Sequence, residues 1–354
     1  MDTHDVHAQD AHDAHEVSTQ SVQVGKPVVV GQQGQDVMQS TRKGIRIKRL
    51  FLSLLTILLI IALAITGVSY YVGYSLIHPQ RNLQYLNLTP AAYHIPYQNV
   101  TFYSRRDHIR LDGWEMRTVA AQHRWVIISH GYAGNRLFWG KDTFRLYQFF
   151  LQQGYNIATF DYSDSGKSGG DTSTVGIWEQ ADLLGALDDL EQQDPQASIG
   201  LYGISQGAAI SLLVAGQHAH VSFVIADSSF ADLHSFLSKN LPTWSHLPTI
   251  PFTPVILLLV QAMLQQNIDN TSPLKALASF HGPILLTHSR ADQSIPVENS
   301  RQIYAAYKGK KDITYKEFAI SSHAHEFVTE HAAYVATVEA FLAHVNRIAI
   351  PLKT

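Results

Sequence analysis

Apolar and polar positions are arranged in three different ways along the chain. From residue 50 to residue 77 no side chain is charged, and the run from Leu50 to Ile65 is almost wholly apolar. A helix needs about 20 such residues to cross a bilayer, whereas a buried core helix is shorter and carries a polar stripe. The pattern predicts a transmembrane helix over residues 50–77.

A second arrangement follows residue 97, where short apolar runs alternate with segments of helical periodicity. The strand-like runs are 99–103, 109–117, 125–129, 155–160, 198–202, 221–226, 283–287 and 313–318, and the helix-like segments are 142–153, 175–192, 206–216, 298–307 and 327–345. The first two runs pair as neighbouring strands. The alternation predicts an α/β fold with a mainly parallel sheet and helices on both faces. Ligands then bind at the carboxyl ends of strands.

The third arrangement is a break in that alternation at about 231–281. It holds Pro242, Pro248, Pro251 and Pro254 and then an apolar helix over 255–264. The segment is too long for a plain crossover, and its apolar part is too short for a second membrane span. We expect a cap whose apolar face lines a substrate pocket, with a plain packed insertion as the alternative.

The region before the predicted transmembrane helix is polar and carries its charges in two separate groups. The first forty residues are polar and their charged side chains are mostly acidic, and residues 1–49 are predicted to be a disordered tail. Their histidines, at positions 4, 7, 12 and 15, are not spaced to share one helix face, so we predict no metal site there. Five cations precede the span, namely Arg42, Lys43, Arg46, Lys48 and Arg49. By the positive-inside rule the tail is cytoplasmic and the domain over 78–354 is extracellular, at the cell membrane.

A cleaved signal peptide is the competing interpretation of the apolar run. The segment Ala62-Leu63-Ala64 has the small-x-small pattern of a cleavage site. Signal peptides place only a short basic region before the apolar run, whereas about fifty residues precede this one. An uncleaved single-pass anchor is therefore favoured.

Other classes of protein are excluded by composition. The chain has no cysteine, which removes thiol catalysis, zinc–thiolate sites and disulfides. No basic stripe with interleaved aromatics occurs beyond the anchor, so a nucleic-acid partner is not expected.

Candidate chemistry begins with Gly203-Ile204-Ser205-Gln206-Gly207, which joins a strand-like run to a small-residue helix. A serine at such a turn is forced outward, which makes Ser205 a candidate nucleophile. The sequence His130-Gly131-Tyr132 follows another strand. We predict an oxyanion hole made by the backbone amides of Tyr132 and Gln206.

A serine nucleophile requires a histidine and an acid that orients it. Asp292 follows the strand after the cap, and Asp227 is the reserve candidate. Two histidines, His323 and His325, follow the last strand, and we prefer His323 because it comes first.

Two other site types can be checked directly against the sequence. A zinc motif beginning at His325 fails because position 329 is threonine. The phosphate-loop-like segment Gly166-Lys167-Ser168 fails because Asp161 stands where that motif needs its first glycine. No metal or organic cofactor is implied.

These motifs together resemble the α/β-hydrolase superfamily, over roughly residues 97–345. The resemblance is to bacterial membrane-anchored or secreted hydrolases of the serine aminopeptidase-like or monoglyceride lipase-like branch. It implies Ser205 as nucleophile, His323 as base and Asp292 as orienting acid, in the chain order that this superfamily uses. Ser289 departs from the pattern, because relatives usually have glycine there.

The leading hypothesis is a serine hydrolase that cleaves a small-molecule ester or acyl substrate through an acyl-enzyme. An aminopeptidase or amidase of the same fold is the first alternative, because one triad serves both bonds. A non-catalytic surface protein that binds lipid or cell-wall material is the second.

Overall fold

The structure is a computed structural model that describes residues 25, 31–218 and 220–348. The chain divides into two units, Met1–Ile61 and Ala62–Thr354. The first described helix, α1, covers Gln32–Ile77 and has 46 residues. Within the described residues, one helix is long and apolar enough to cross a membrane, and it covers Gln35–Ile77.

The helix begins earlier than the sequence indicates. Residues 32–49 were expected to belong to a disordered tail, and they are helical. The chain has no proline between Pro27 and Pro79, so a helix nucleated in the apolar segment extends towards the N-terminus at little cost. The four histidines of the tail lie outside the described residues.

An eight-stranded sheet forms the centre of the second unit. Its strands are β1 (Gln98–Tyr103), β2 (Arg110–Met116), β3 (Arg124–Ser129), β4 (Asn156–Phe160), β5 (Ser198–Ile204), β6 (Val221–Asp227), β7 (Ile284–Ser289) and β8 (Ile313–Phe318). Their order is β1-β2-β4-β3-β5-β6-β7-β8. Strand β2 runs antiparallel to β1 and β4, and the other pairings are parallel. The predicted α/β-hydrolase fold is confirmed.

Helices cover both faces of this sheet. The α-helices that follow β1 along the chain are α2 (Asp142–Gln152), α3 (Glu179–Gln193), α4 (Gln206–Ala215), α5 (Leu233–Ser245), α6 (Thr249–Leu264), α7 (Pro273–Ala276), α8 (Glu298–Tyr307), α9 (Glu326–Thr329) and α10 (His331–Ile348). Successive side chains of a strand point to opposite faces. In β3, Val126 and Ile128 therefore lie in one core cluster, and Trp125 and Ile127 lie in the other.

Two helix boundaries differ from the predicted ones for identifiable reasons. Helix α3 starts at Glu179 and not near Val175, because Val175 and Gly176 have positive φ (56° and 101°). The predicted C-terminal helix is divided at Glu330 into α9 and α10. The Glu330 carboxylate there accepts the backbone N–H groups of Ile320 and Ser321, at 3.1 and 3.2 Å.

Helices α5 and α6 lie between β6 and β7, in the segment that the sequence predicted to be a cap. The chain bends by 119° between them. His246 ends α5 with a left-handed backbone (φ 55°), and Pro248 follows in the connection. Their inner faces share a third core cluster, which also contains Ile77 from the last turn of α1.

Candidate active site

The turn after β5 places Ser205 at the carboxyl end of the sheet. Ser205 has φ 55° and ψ −121°, a conformation that L-residues rarely adopt. The glycines on either side make this turn possible. A Cβ on Gly203 would lie 2.2 Å from the carbonyl oxygen of Gly207, and a Cβ on Gly207 would lie 2.5 Å from that of His130. The backbone amide of Ser205 donates to the carbonyl oxygen of Asp227 at 2.8 Å, which holds the turn against β6.

Three of the predicted residues meet at this point. The Oγ atom of Ser205 lies 2.7 Å from Nε2 of His323. Nδ1 of the same imidazole lies 2.6 Å from Oδ2 of Asp292. The structure thus joins a hydroxyl, an imidazole and a carboxylate in one hydrogen-bonded series, the arrangement in which histidine can accept the serine proton.

Asp292 receives more donors than the predicted triad alone requires. Its Oδ1 accepts the backbone amides of Ser294 and Ile295, at 2.8 and 2.9 Å. Its Oδ2 is also 3.1 Å from Nε2 of His288. Burial by itself would raise the pKa of Asp292, but the hydrogen bonds from His288 and His323 outweigh it and hold the pKa well below its usual value. The carboxyl group is therefore ionised at neutral pH.

Sequence reasoning did not single out His288, although it lies only four residues before Asp292. The side chain is fully buried in β7. Its Nε2 faces two acceptors, Asp292 Oδ2 and the carbonyl oxygen of Ile295 at 2.9 Å, so this nitrogen carries the proton. Its Nδ1 then accepts the Ser300 hydroxyl at 2.7 Å. The available signal was a histidine at the end of a buried strand, directly after the strand-like run 283–287.

The other histidine of the doublet is oriented differently. His325 Nδ1 lies 2.8 Å from the carbonyl oxygen of His323, so this side chain braces the loop. The same loop is held by Trp139, whose indole N–H donates to the carbonyl oxygen of Ala324 at 2.7 Å. Of the two histidines, the structure brings His323 to Ser205.

Asp227, the reserve acid, has a different partner. Its fully buried side chain lies beside Glu326, and the Ser228 hydroxyl bonds to both carboxyl groups, at 3.0 and 3.3 Å. Burial raises the pKa of Asp227, and burial together with the neighbouring Asp227 raises that of Glu326. Asp227 Oδ2 and Glu326 Oε2 are buried without a hydrogen-bond partner among the described residues, which fits one proton held between the two groups.

The predicted oxyanion-hole loop adjoins the serine. A Cβ on Gly131 would lie 3.1 Å from the Cβ of Ser205, so the loop backbone passes directly beside it. Neither the Tyr132 nor the Gln206 amide donates to another described residue. His130 anchors the loop: its Nε2 accepts the Tyr162 amide at 3.0 Å, and its Nδ1 bonds to the carbonyl oxygen of Gly131 at 2.8 Å. Burial lowers the pKa of His130, so it remains neutral.

The carboxylate of Asp161 holds the glycine-rich loop that follows β4 in its conformation. Its carboxylate accepts the Arg136 and Lys167 backbone amides, at 2.8 and 2.9 Å, and the Arg136 guanidinium at 2.9 Å. A Cβ on Gly166 would lie 2.1 Å from Asp161 Oδ2. The loop wraps around the carboxylate of Asp161, and the glycine is needed for that close approach.

A cavity of about 440 Å³ opens onto Ser205. Its walls come from the oxyanion loop, the cap, the histidine loop and the end of α1. The lining residues include Leu76, Tyr132, Phe138, Trp139, Phe230, Phe236, Trp244, Ile295 and His325. Among the described residues that line it there is no Asp, Glu, Lys or Arg. The cavity therefore suits an apolar, uncharged group next to the reactive serine.

The contribution of α1 to this cavity was not predicted from the sequence. Leu76 lies in the wall, and its carbonyl oxygen accepts the Tyr132 hydroxyl at 2.6 Å. Burial raises the pKa of Tyr132, so its hydroxyl stays protonated and donates. The sequence does not indicate this role, because Leu76 belongs to the apolar run 50–77 that predicts a transmembrane helix.

Side chains that could hold a metal ion lie elsewhere in the described structure. Asp188, Glu191 and His218 approach one another on the surface. Asp188 is already paired with the Arg105 guanidinium through both of its oxygens. None of the three lines the cavity at Ser205.

Comparison with known proteins agrees with the fold. The chain superimposes on an esterase of Pyrococcus furiosus, Pf2001, with a TM-score of 0.62 and 24% identity, covering 76% of this chain and 99% of that one. An acylaminoacyl peptidase of Pyrococcus horikoshii gives a TM-score of 0.55 and 17% identity, over 73% of this chain and 43% of that one. The protein YqkD of Bacillus subtilis is 30% identical over 224 residues, which are 62% of this chain and 72% of YqkD.

The order of the strands and these neighbours show the α/β-hydrolase fold. The family model for the prolyl oligopeptidase family matches residues 142–348, more than half of the chain. The chain belongs to that family.

Proposed function

We propose that this protein is a membrane-anchored serine hydrolase that cleaves carboxylic esters through an acyl-enzyme. Ser205 is the nucleophile, His323 the general base and Asp292 the orienting acid. The observation that carries the proposal is the series from Ser205 Oγ to His323 Nε2, at 2.7 Å, and from His323 Nδ1 to Asp292 Oδ2, at 2.6 Å. It lies at the wall of a largely apolar cavity.

In the first step Ser205 Oγ attacks the carbonyl carbon while its proton passes to His323 Nε2. The Tyr132 and Gln206 amides stabilise the oxyanion that forms, because neither has another acceptor among the described residues. His323 then returns the proton to the departing alcohol, which leaves an acyl group on Ser205. Water, deprotonated by the same imidazole, hydrolyses this intermediate.

An ester is favoured over the N-terminus of a peptide by the charges of the cavity. An aminopeptidase has to bind the substrate's ammonium group, and a carboxylate is the usual partner for such a cation. The described lining has none. An uncharged acyl chain fits an apolar wall without leaving a buried charge unpaired. We place the protein in the serine aminopeptidase-like or monoglyceride lipase-like branch.

The proposed location follows from α1 and its flanking charges. Helix α1 carries exposed apolar side chains over residues 50–68, which extend about 28 Å at 1.5 Å per residue. This is close to the thickness of a bilayer core, roughly 30 Å. With the cations at 42–49 on the cytoplasmic side, the catalytic domain is extracellular.

A fluorophosphonate probe tests the proposed nucleophile. The wild type should be labelled at Ser205, and Ser205→Ala should lose both the label and ester turnover, by roughly 10⁴-fold or more in kcat. Ser294→Ala, which removes another serine of the cavity, is the matched control and should retain both. Labelling that persists in Ser205→Ala would refute the assignment, and a folded wild type without label or turnover would favour a non-catalytic binding protein.

A peptidase or amidase is the second candidate, and the family assignment is the observation that favours it. Purified protein should be compared on p-nitrophenyl esters and aminoacyl p-nitroanilides. We expect a higher kcat/KM on the esters. Faster turnover of the anilides would replace the ester proposal with this one.

A further inference from the structure

The loop that carries the proposed oxyanion-hole amide of Tyr132 covers residues 131–135. Its backbone is strained, because Ala133 has a positive φ of 50°. The Gly134 amide donates to the carbonyl oxygen of Gly131 at 3.1 Å, which closes the turn. A strained turn keeps one conformation only where neighbouring groups hold it. An oxyanion-hole amide depends on such support, because it has to be in position before the charge develops.

The last two residues of α1 and the segment after them, residues 76–84, lie against this loop, and we call them the connector. Asn135, which is only 1% exposed, donates through Nδ2 to the carbonyl oxygens of Asn82 and Gln84, at 2.9 and 3.1 Å. Its Oδ1 accepts the backbone amide of Leu137 at 2.8 Å, so both ends of the side-chain amide are bonded. The last residue of the loop is therefore fixed to the connector.

The connector also contacts the residue that carries the proposed oxyanion-hole amide. The Tyr132 hydroxyl donates to the carbonyl oxygen of Leu76 at 2.6 Å. The side chain of Tyr132 thus ties its own backbone to the end of α1. Together, Tyr132 and Asn135 attach the loop to the connector on both sides of the strained Ala133.

The connector is itself held by other parts of the catalytic unit. The Arg81 guanidinium lies 3.5 Å from the Asp164 carboxylate, measured from Nε to Oδ1. It also donates to three carbonyl groups of the glycine-rich loop after β4, those of Gly166, Ser168 and Gly170. The Ser173 amide donates to the carbonyl oxygen of Ile77 at 2.9 Å. These contacts give the connector a fixed position, so it can serve as a support for the oxyanion-hole loop.

We propose that the connector supports the oxyanion hole, and that Asn135 and the Tyr132 hydroxyl are positioning groups that aim the Tyr132 amide at the reacting carbonyl. Asn135 is not among the described residues that line the cavity, so it acts through the loop and not on the substrate. The inference rests on the proposed function, because the oxyanion hole is part of that mechanism. It gives the end of α1 a part in catalysis besides its proposed part in attachment.

The test uses the full chain in detergent, with p-nitrophenyl butyrate as substrate. Asn135→Ala removes both hydrogen bonds from the loop to the connector. Tyr132→Phe removes the hydroxyl and keeps the backbone amide. The double variant combines the two changes.

Asn156→Ala is the matched control, because Asn156 braces a loop in the same way at the opposite edge of the sheet. It is the first residue of β4 and is 3% exposed. Its Nδ2 donates to the carbonyl oxygen of Gln122 at 3.1 Å, and its Oδ1 accepts the Thr118 amide at 2.9 Å. The carboxyl edge of the sheet, where Ser205 lies, is not touched by this change. A loss that both asparagine variants share is therefore a loss of folding stability.

We expect Asn135→Ala and Tyr132→Phe each to lower kcat about tenfold and the double variant about 100-fold, with KM within about twofold of the wild type. Removing an oxyanion-hole donor outright costs roughly 10²–10³-fold in kcat, so misplacing one costs less. A loss in kcat without a change in KM marks an interaction made only in the transition state. Asn156→Ala should keep the wild-type kcat.

A trifluoromethyl ketone with a six-carbon alkyl chain gives a second readout, because it reacts to form a transition-state mimic. The Ser205 Oγ adds to its carbonyl carbon, the hydroxyl proton passes to His323, and the former carbonyl oxygen becomes the oxyanion in the hole. Its Ki should rise about tenfold in Asn135→Ala, in step with the loss in kcat, and stay unchanged in Asn156→Ala.

Three results would overturn the support role of the connector. They are an active wild type whose kcat and Ki are kept in both Asn135→Ala and Tyr132→Phe, an equal loss of kcat in Asn135→Ala and Asn156→Ala, and a rise in KM alone. A folded wild type that neither hydrolyses the ester nor binds the ketone would instead refute the proposed hydrolase, and this inference with it.

Discussion

Ser205 has an uncommon backbone conformation because the turn must expose one hydroxyl. The flanking glycines allow α4 to start within contact distance of the end of β3, since a Cβ on Gly207 would lie 2.6 Å from the Ser129 carbonyl oxygen. Strained backbone of this kind persists only where the surroundings hold it in place. Here the hydrogen bond from the Ser205 amide to the Asp227 carbonyl oxygen does so.

In the proposed mechanism His288 is a positioning residue for Asp292, the acid of the triad. We expect His288→Leu to lower kcat for p-nitrophenyl butyrate about tenfold with little change in KM. A hydrogen bond to a charged group contributes roughly 1.5 kcal/mol, which is about tenfold in rate.

His288→Gln is the matched variant, since its amide restores a donor near the position of Nε2. It should recover most of the rate. The prediction fails if His288→Leu is folded and retains the wild-type kcat, or if His288→Gln is as slow as His288→Leu.

At the scale of elements, α1 has two successive roles along its length. Over residues 50–68 it presents apolar side chains outward, and from Ser69 onward one stripe is wholly or partly buried. The stripe consists of Ser69, Val72, Gly73, Leu76 and Ile77. Its spacing of i, i+3, i+4, i+7 and i+8 is that of a single helix face. The last two turns are therefore part of the catalytic unit.

Gly73→Ile tests this packing. The added side chain would meet Val260 and Met263, push α1 away from α6 and displace Leu76 from the cavity wall. We expect KM for p-nitrophenyl butyrate to rise by about fivefold to tenfold, as overpacking typically costs 1–3 kcal/mol. Gly67→Ile is the control, because no atom lies within 4 Å of its Cβ position. Equal KM values in the two variants would contradict the packing role.

At the scale of the whole molecule, the sheet carries a buried acidic pair, Asp227 and Glu326, between its carboxyl edge and α9. Because the folded-state pKa of Glu326 is raised, the folded protein keeps a proton that the unfolded chain releases above about pH 4.3. The free energy of unfolding should therefore fall as pH rises, by up to about 1.4 kcal/mol per unit, until the pair ionises.

Glu326→Gln removes this titrating group and keeps a neutral partner for Asp227. We expect its Tm, measured in detergent, to fall less between pH 6 and pH 9 than that of the wild type. Glu330→Gln is the control: hydrogen bonds lower the pKa of Glu330 against the effect of its burial, so its titration ends below this range. A wild-type Tm that falls no more steeply than that of Glu326→Gln would refute the shared proton.

Local patterns made much of this structure predictable. The alternation of short apolar runs and helices indicated the parallel sheet, and the Gly203 to Gly207 motif located the serine turn. Order along the chain is all that the sequence offers to choose between His323 and His325, because both follow the same strand and the fold of their loop separates them. Helix α3 was predicted too long, since the positive φ of Val175 is imposed by its surroundings and not by its residue type.

Order along the chain and short-range periodicity are properties of the sequence, so they already indicated the long apolar helix, the fold class and the order in which Ser205, Asp292 and His323 occur. Contacts between distant segments required the tertiary structure. Inside a run that is apolar on every side, hydrophobic periodicity cannot show which face packs against protein. Only the folded chain therefore shows that Gly73 packs against α6 and that Leu76 lines the cavity at Ser205. It also shows that a second histidine, His288, lies on Asp292.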